Sequence, residues 1–200
     1  MLRVGLTGGL ACGKSFVGQA LARYGCFLIQ ADELGHEVLR PEGEAFSAVV
    51  SEFGRDILVD GRIDRRRLAA RVFGDPEALE RLNRLVHPPV IAREETLIEE
   101  FRSLEPKGVV VVEGAILIET GSYNRFDRLI VVSCSQQQQM ERAMRRDGLT
   151  EEDVLARLSR QMPLDEKRKL ADFVIDTSGT KEETLLQTCA VYQELRRIKI

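Results

Sequence analysis

The chain has 200 residues, 44% of them hydrophobic, which is enough to bury a sizeable core in one α/β domain with inserted lobes. Its formal net charge of −3 leaves no basic excess to neutralise a run of nucleic-acid phosphates, so we expect small anionic ligands and no nucleic-acid partner. The four cysteines are widely spaced without a C-x-x-C pair, a pattern that argues against structural zinc and disulfides.

The first predicted element is a short buried strand from Leu2 to Leu6, which begins too early to leave room for a secretion signal. The longest apolar runs, Val109 to Val112 and Ala115 to Ile118, are far shorter than the ~20 residues that span a bilayer. We therefore expect a cytoplasmic protein without a membrane partner.

A phosphate-binding P-loop follows this strand, with the sequence GGLACGKS from Gly8 to Ser15. This spacing lets backbone N–H groups surround a β-phosphate, places the Lys14 ammonium on the transferred phosphate and offers the Ser15 hydroxyl to Mg²⁺. Apolar residues at helical spacing come next, and Gly25 closes that helix. Because strand, loop and helix occur in this order, the pattern predicts a nucleoside triphosphate site.

Asp32 comes directly after the second predicted strand, Cys26 to Ile29. Ligands of open α/β sheets bind at the carboxyl ends of the strands. If this strand lies beside the first, Asp32 faces the P-loop and can accept a proton from an attacking hydroxyl. The alternative is that Asp32 caps a helix starting at Glu33.

Asp32 and Gly35 also fit the D-x-x-G pattern of GTP-dependent switches. Such switches carry an N-K-x-D motif that reads guanine, and no Asn-Lys pair occurs in this chain. The sequence therefore disfavours a regulatory GTPase.

A polar, helical stretch is predicted from about Glu33 to Leu104, with breaks at residues 41–43 and 60–61. It is too long for a simple crossover between strands. The third predicted strand, Gly108 to Val112, ends at Glu113, which either holds Mg²⁺ through water or sits in an ordinary strand-to-helix turn.

The remaining pattern predicts a doubly wound parallel sheet whose β-branched strands are buried on both faces. Arg142, Arg145 and Arg146 crowd one helix, in the part of the chain where nucleotide kinases place a mobile lid. A lid arginine stabilises the charge that develops on the transferred phosphoryl group, whereas the alternative is a solvated basic face. The predicted elements are a strand at 128–132, helices at 136–146 and 151–161, a strand at 173–176 and a final helix at 181–197.

Several motifs in fixed order give the chain a resemblance to the dephospho-coenzyme A kinase family over nearly its whole length. The P-loop alone is generic, but the set together is specific. The matching segments are Thr7-Gly8-Gly9, Ala31-Asp32, Asp60-Gly61-Arg62-Ile63-Asp64-Arg65, Leu85-Val86-His87-Pro88, Leu117-Ile118-Glu119 and Arg142-Ala143-Met144-Arg145-Arg146-Asp147.

This resemblance implies an α/β P-loop kinase, with a central parallel sheet flanked by helices in one domain over residues 1–200. It also implies a helical CoA-binding insertion at about 62–104 and a lid at about 136–161. The implied reaction transfers the γ-phosphate of ATP to the ribose 3′-hydroxyl of dephospho-CoA, the last step of coenzyme A biosynthesis. Mg²⁺ is the implied cofactor, ATP and dephospho-CoA are the implied partners, and we expect a monomer.

The resemblance also implies roles for individual residues. Asp32 looks like the family's base, Arg142 like its catalytic lid arginine, and Lys14 like the lysine on the transferred phosphate. Thr7 and His87 are expected at the substrate, although His87 could equally cap a helix before Pro88-Pro89. The expected ATP loop comprises Ala11, Cys12, Gly13, Lys14, Ser15 and Phe16, with Ser15 as the metal ligand.

Three positions depart from the family pattern. Gln30 stands where an aspartate is usual, Phe16 replaces a threonine and Ala115 replaces a proline. The Phe16 change removes a hydroxyl from the α-phosphate and is expected to weaken ATP binding by about 1 kcal/mol. Cys12 is either an oxidation-sensitive thiol at a helix amino terminus or a buried inert side chain. The open alternatives for function are another small-molecule or nucleotide kinase and a regulatory P-loop protein.

Overall fold

The computed structural model describes residues 1–72 and 74–198, and its centre is a five-stranded parallel sheet. Strand β1 (Leu2–Gly8) lies in the middle, between β5 (Val109–Glu113) and β6 (Arg128–Ser133). Strand β2 (Phe27–Gln30) pairs with the outer edge of β5, and β7 (Phe173–Asp176) pairs with β6. All pairings in the order β2-β5-β1-β6-β7 are parallel, which confirms the predicted parallel sheet.

The first two strands are not neighbours, because β5 lies between β1 and β2, so the condition for placing Asp32 opposite the P-loop is not met. Every residue of β5 is buried, whereas β2 is mostly half-buried. An unbroken run of valines favours a strand that is covered on both faces and paired on both sides, because side chains on both faces of the strand are apolar. The placement of Asp32 opposite the P-loop therefore does not follow from strand adjacency.

Two helices pack together against the sheet and close its main core. They are α1 (Lys14–Arg23) and α9 (Lys181–Arg197), and their apolar side chains join those of the strands in one buried cluster. The final helix has the predicted bounds. Its start is fixed by Thr180 and Glu183, which form a capping box that is readable in the sequence.

The chain divides into two compact units, Met1–Gln30 with Glu100–Ile200 and Ala31–Glu99. The first contains the sheet and the P-loop. The second is mostly helical. Its elements are α2 (Ala31–Glu37), α3 (Phe46–Phe53), a 3₁₀ turn (Arg55–Ile57), the strands β3 (Leu58–Val59) and β4 (Arg62–Ile63), α4 (Arg65–Val72) and most of α5 (Pro76–Leu104).

A short antiparallel hairpin replaces the predicted helical break at residues 60–61. Asp60 has φ 49° and Gly61 has φ 74°, the left-handed pair that a two-residue hairpin turn needs. The Asp-Gly signal was therefore present in the sequence, but the flanking segments are too short to show alternation.

Helix α5 continues through Pro88 and Pro89, so the interpretation of His87 as a cap before these prolines is wrong. The two prolines remove the N–H groups that would bond the carbonyls of residues 84 and 85. Packing along the rest of the helix outweighs that loss, since Val90, Glu94 and Ile98 are buried on one side.

Three helices fill the chain between β6 and β7. They are α6 (Gln136–Asp147), α7 (Glu151–Leu158) and α8 (Leu164–Lys169). The predicted helix at 151–161 ends three residues early, and α8 was not predicted. Pro163 explains why α7 and α8 are separate helices, because it is the N-cap of α8 with an extended ψ of 137° and disfavours the α region at the residue before it.

A 3₁₀ turn at Ser122–Arg125 lies between β5 and β6. Within residues 1–72 and 74–198, no helix combines the length and the apolar character that crossing a membrane requires.

Candidate active site

The P-loop between β1 and α1 has the backbone of an anion-binding nest. Ala11 has φ 55° and Gly13 has φ 82°, whereas Leu10 and Cys12 do not have positive φ, and such alternation is typical of loops whose N–H groups form an anion-binding nest. Gly8 is required for a different reason, because a Cβ there would collide with the carbonyl oxygen of Val132. The amino terminus of α1 adds its dipole to the same site.

Lys14 and Ser15 lead from the loop into α1. Lys14 Nζ lies 3.4 Å from the carbonyl oxygen of Gly9, so the ammonium folds over the loop. Ser15 Oγ donates a hydrogen bond of 2.7 Å to Glu113 Oε1 at the end of β5. No α-helix begins at Glu113, which excludes the turn interpretation and leaves a carboxylate beside the P-loop hydroxyl.

These two side chains fit a hard divalent cation, since a hydroxyl and a carboxylate oxygen are the donors that Mg²⁺ prefers. In the part of the chain that the structure describes, no group of three or more His, Cys, Asp or Glu side chains converges as a metal site. Nucleotide phosphates would thus have to complete the coordination, as is usual for Mg²⁺ in phosphoryl-transfer sites.

Arg142, on α6, is half-buried against the segment that follows β7. Its Nη1 and Nη2 atoms donate to the hydroxyl and the carbonyl of Thr177, at 3.1 and 2.7 Å. Thr177 Oγ1 in turn lies 2.9 Å from the carbonyl oxygen of Cys12. One buried residue therefore connects this arginine to the P-loop.

The neighbouring arginines have a different environment. Arg145 and Arg146 are exposed, and Arg146 pairs with Asp147 at 2.7 Å. Hydrogen bonding and charge from Arg146, together with charge from Arg157, hold the pKa of Asp147 below its ordinary value. The solvated-face alternative therefore describes these two arginines and not Arg142.

Thr7 is fully buried in β1, and its hydroxyl lies 3.4 Å from the carbonyl oxygen of Ala115. Lys167, on α8, reaches the same place. Its Nζ lies 3.2 Å from the Ala115 oxygen, 3.4 Å from the Gly8 oxygen and 2.7 Å from Glu119 Oε1. Lys167 is completely buried, so it ties the start of the P-loop to the segments after β5 and after the lid helices.

Sequence reasoning missed Lys167 altogether. The Leu117 to Glu119 motif was singled out, but nothing in a polar carboxyl-terminal segment marks one of its lysines as buried. The signal for a buried cation was Glu119 instead. This acid follows two apolar residues that are buried, and a carboxylate in such a place needs a cationic partner.

Two other members of the predicted ATP loop pack against neighbouring side chains. Phe16 is half-buried on α1, with Lys181 Nζ 5.9 Å from the centre of its ring. Cys12 is fully buried, and its sulfur faces that of Cys134. The loop thus presents backbone N–H groups rather than these side chains to a phosphate.

Asp32 and His87 belong to the second unit, unlike the other predicted site residues. Asp32 is exposed in the first turn of α2, one residue inside the helix rather than at its cap. His87 is half-buried on α5, and burial lowers its pKa, which favours the neutral imidazole. Gln30, which replaces an aspartate of the family pattern, is the last residue of β2.

The second unit also has a basic pocket, a cavity of about 460 Å³ between α2 and the β3–β4 hairpin. Three of the eight lining residues are arginines, and one is a glutamate. The lining residues are His36, Leu39, Arg40, Pro41, Glu42, Arg62, Ile63 and Arg65.

Both the amino-acid sequence and the fold of this chain are similar to those of known proteins. The family model described as dephospho-CoA kinase matches residues 2–183. A dephospho-CoA kinase from Aquifex aeolicus (strain VF5) is 40% identical over 198 residues, covering 98% of this chain and 99% of the relative. A solved structure from Thermus thermophilus has TM-score 0.81 and 36% identity over 97% of both chains, and a dephospho-CoA kinase from Campylobacter jejuni has TM-score 0.62 and 26% identity over 96% of both.

Proposed function

The chain belongs to the dephospho-CoA kinase family, and from this premise we propose how its own residues carry out the reaction. The activity is ATP-dependent phosphorylation of the ribose 3′-hydroxyl of dephospho-CoA, which gives CoA and ADP at the last step of CoA biosynthesis. The single observation that carries this conclusion is the family match over residues 2–183.

ATP binds at the P-loop, in residues Ala11 to Phe16. The nest of backbone N–H groups receives the β-phosphate, and Lys14 moves from the Gly9 carbonyl to the transferred phosphate. Arg142 stabilises the charge that spreads over the phosphoryl oxygens when the lid closes. Its bonds to Thr177 support this role, because they hold the guanidinium next to the P-loop before closure.

Ser15 and Glu113 hold the Mg²⁺ ion that accompanies ATP. When bound, Mg²⁺ neutralises part of the phosphate charge and keeps the β- and γ-phosphates in a reactive geometry. Glu113 orients the Ser15 hydroxyl through its 2.7 Å hydrogen bond and adds negative charge at the cation.

Asp32 is the general base that accepts the proton of the ribose 3′-hydroxyl during attack. Its support is its position: an exposed carboxylate just beyond the carboxyl end of β2, at the sheet edge where α/β proteins bind ligands. Transfer is direct and in line, without a covalent intermediate on the enzyme.

Dephospho-CoA is recognised by the second unit, which takes the place of the predicted CoA-binding insertion. The excess of arginine in its basic pocket suits the diphosphate of this substrate, since guanidinium groups pair with phosphate oxygens in a bidentate way. His87, whose pKa burial lowers, is able to donate a hydrogen bond to the substrate or accept one from it, and Thr7 supports the site through its contact with the Ala115 carbonyl.

The test measures ADP release with ATP and Mg²⁺, with dephospho-CoA, AMP, CMP or adenosine as acceptor. Turnover is expected with dephospho-CoA, and Asp32→Asn is expected to lower kcat by about 10²- to 10⁴-fold. Glu33→Gln is the matched control, since Glu33 is the exposed neighbour of Asp32 in the same helical turn.

Faster turnover with another acceptor would overturn the assignment of dephospho-CoA as the substrate. Equal rates for Asp32→Asn and Glu33→Gln would overturn the assignment of Asp32 as the base.

We place the enzyme in the cytoplasm, and we expect it to be a monomer. A measurement of its molecular mass in solution checks the oligomeric state. All four cysteines are unbridged, which suits a reducing compartment.

A further inference from the structure

Two cysteines that are far apart in the sequence meet under the P-loop. Cys12 Sγ and Cys134 Sγ lie 3.2 Å apart, joined by a thiol hydrogen bond. Cys12 belongs to the ATP loop, and Cys134 is the first residue after β6. Both are buried, at 0% and 7% exposure, within the main core of the first unit.

The surroundings make the two thiols chemically unequal. The hydrogen bond from Cys12 lowers the pKa of Cys134 to about 7, with further lowering by Arg142 and by a hydrogen bond from Thr177. For Cys12, the same hydrogen bond and burial raise the pKa far above its ordinary value. Cys134 is therefore the more acidic thiol of the pair, and the thiolate is the form that reacts with an oxidant.

A route for a small oxidant reaches the pair. Cys134 and Gly9 line a cavity of about 720 Å³, which also borders α6 and the segment between α7 and α8. A peroxide is small enough to enter such a space. Cys26, by contrast, has no neighbouring cysteine with which to form a disulfide, and burial raises its pKa to about 12.

We propose that Cys12 and Cys134 are a reversible oxidation site, in which a peroxide converts the pair to a disulfide that disables the ATP loop. Disulfide formation itself needs only the two thiols and the oxidant. Its effect on turnover rests on the kinase function proposed above.

The chemistry balances in two steps. The Cys134 thiolate attacks one oxygen of hydrogen peroxide, the O–O bond breaks, and the products are Cys134 sulfenic acid and hydroxide. Cys12 sulfur then attacks the sulfenic sulfur, and its proton leaves with the departing hydroxyl as water. Two thiols and one peroxide thus give one disulfide and two waters, and an external dithiol reverses the change.

The bond would displace the phosphate-binding loop. A disulfide is about 2.0 Å long, so the sulfurs at 3.2 Å must approach by about 1 Å. Cys12 carries much of that movement, because Cys134 directly follows a buried central strand. The carbonyl of Cys12 accepts from Thr177, which also holds Arg142, so the shift reaches both the loop and the lid arginine.

The experiment treats the reduced full-length protein with hydrogen peroxide and follows two readouts. Peptide mapping by mass spectrometry is expected to find one cross-linked peptide pair containing Cys12 and Cys134. Phosphoryl transfer is expected to fall by about 100-fold in the cross-linked fraction, since misplacement by 1 Å costs about that much, and to recover with dithiothreitol.

Cys134→Ser is the decisive variant, because it leaves every residue of the ATP loop in place. It is expected to keep the untreated rate and to resist peroxide. Cys189→Ser is the matched control, since Cys189 is a half-buried cysteine on α9, and it is expected to lose activity as the unchanged chain does.

Three outcomes would overturn the proposal: no Cys12–Cys134 peptide at an inactivating dose, equal inactivation of Cys134→Ser, or full activity in the cross-linked enzyme. The mass readout and the binding of a fluorescent ATP analogue need no acceptor. They therefore separate failure of this proposal from failure of the assigned substrate.

Discussion

Ser15 and Glu113 are 98 residues apart in the sequence and lie 2.7 Å apart in the structure. The register of the parallel sheet causes this contact. Leu6 pairs with Glu113, so the carboxyl end of β5 is level with the strand that leads into the P-loop. A residue that was ambiguous in the sequence thus acquires one interpretation, as a carboxylate for the cation.

Glu113→Gln keeps the shape of this side chain and removes its charge. We expect the Mg²⁺ concentration for half-maximal activity to rise by about 10- to 100-fold, because groups that orient a metal ligand contribute on that scale. Magnesium titration at fixed ATP measures the effect. Glu105→Gln is the control, since Glu105 is exposed before the same strand, and an unchanged titration for Glu113→Gln would contradict the assignment.

At the scale of the element, helix α6 presents three arginines of which one is tied to the body of the first unit. The helix starts with a capping box of Ser135 and Gln138 and ends at Gly148 in the left-handed conformation. These caps fix the two ends of the helix, while the buried residues Gln139 and Ala143 define the side that packs against the protein, which Arg142 adjoins.

We expect Arg142→Ala to lower kcat by about 10³-fold or more, since a lid arginine supplies transition-state stabilisation of that size. Arg142→Lys is expected to recover little, because lysine lacks the planar fork that bonds Thr177 twice. Steady-state kinetics check this, with Arg145→Ala as the control from the exposed side of the same helix. Equal losses for Arg142→Ala and Arg145→Ala would count against the lid role.

Helix α8 contributes to stability through Lys167. Its ammonium pairs with Glu119 at 2.7 Å, and the other carboxylate oxygen, Glu119 Oε2, is buried and makes no hydrogen bond within the described residues. Removing the lysine would therefore leave a carboxylate without its compensating charge in a low-dielectric site.

Lys167→Met is expected to lower the free energy of unfolding by about 3–5 kcal/mol, and adding Glu119→Met should restore part of the loss. Urea unfolding monitored by circular dichroism measures both changes. Lys169→Met is the control, because that lysine is exposed and its pair with Glu166 contributes about 1 kcal/mol or less. A Lys167→Met variant as stable as the control would show that the buried pair is energetically neutral.

In the whole molecule, the proposed mechanism assigns nucleotide chemistry and acceptor recognition to different units. The first unit holds the P-loop, Glu113 and Arg142, and the second holds Asp32, His87 and the basic pocket. This division predicts that substitutions in the basic pocket change the KM for dephospho-CoA and leave the KM for ATP unchanged.

Arg62→Ala and Arg65→Ala are each expected to raise KM for dephospho-CoA by about 10-fold or more, since a hydrogen bond to a charged group contributes about 1.5–3 kcal/mol. The KM for ATP should stay the same. Arg66→Ala is the control, because Arg66 is exposed on α4 but does not line the pocket. Parallel increases in both KM values would contradict a pocket for the acceptor.

The P-loop and the strands were readable from the amino-acid sequence because each is a local pattern, and the family was readable because several such short motifs follow one another in a fixed order. GGLACGKS needs only its own backbone geometry, and strands such as Val109 to Val112 identify themselves by their composition. The caps of α6, α7 and α9 are local in the same sense.

Four features became visible in the folded structure alone. They are the order of the strands, the contact of Glu113 with Ser15, the burial of Lys167 and the contact between Cys12 and Cys134. Each depends on which segments pack together, and local patterns do not encode such long-range contacts. The position of β5 between β1 and β2 is the clearest example. It separates the strand before Asp32 from the strand before the P-loop, and it brings Glu113 next to Ser15.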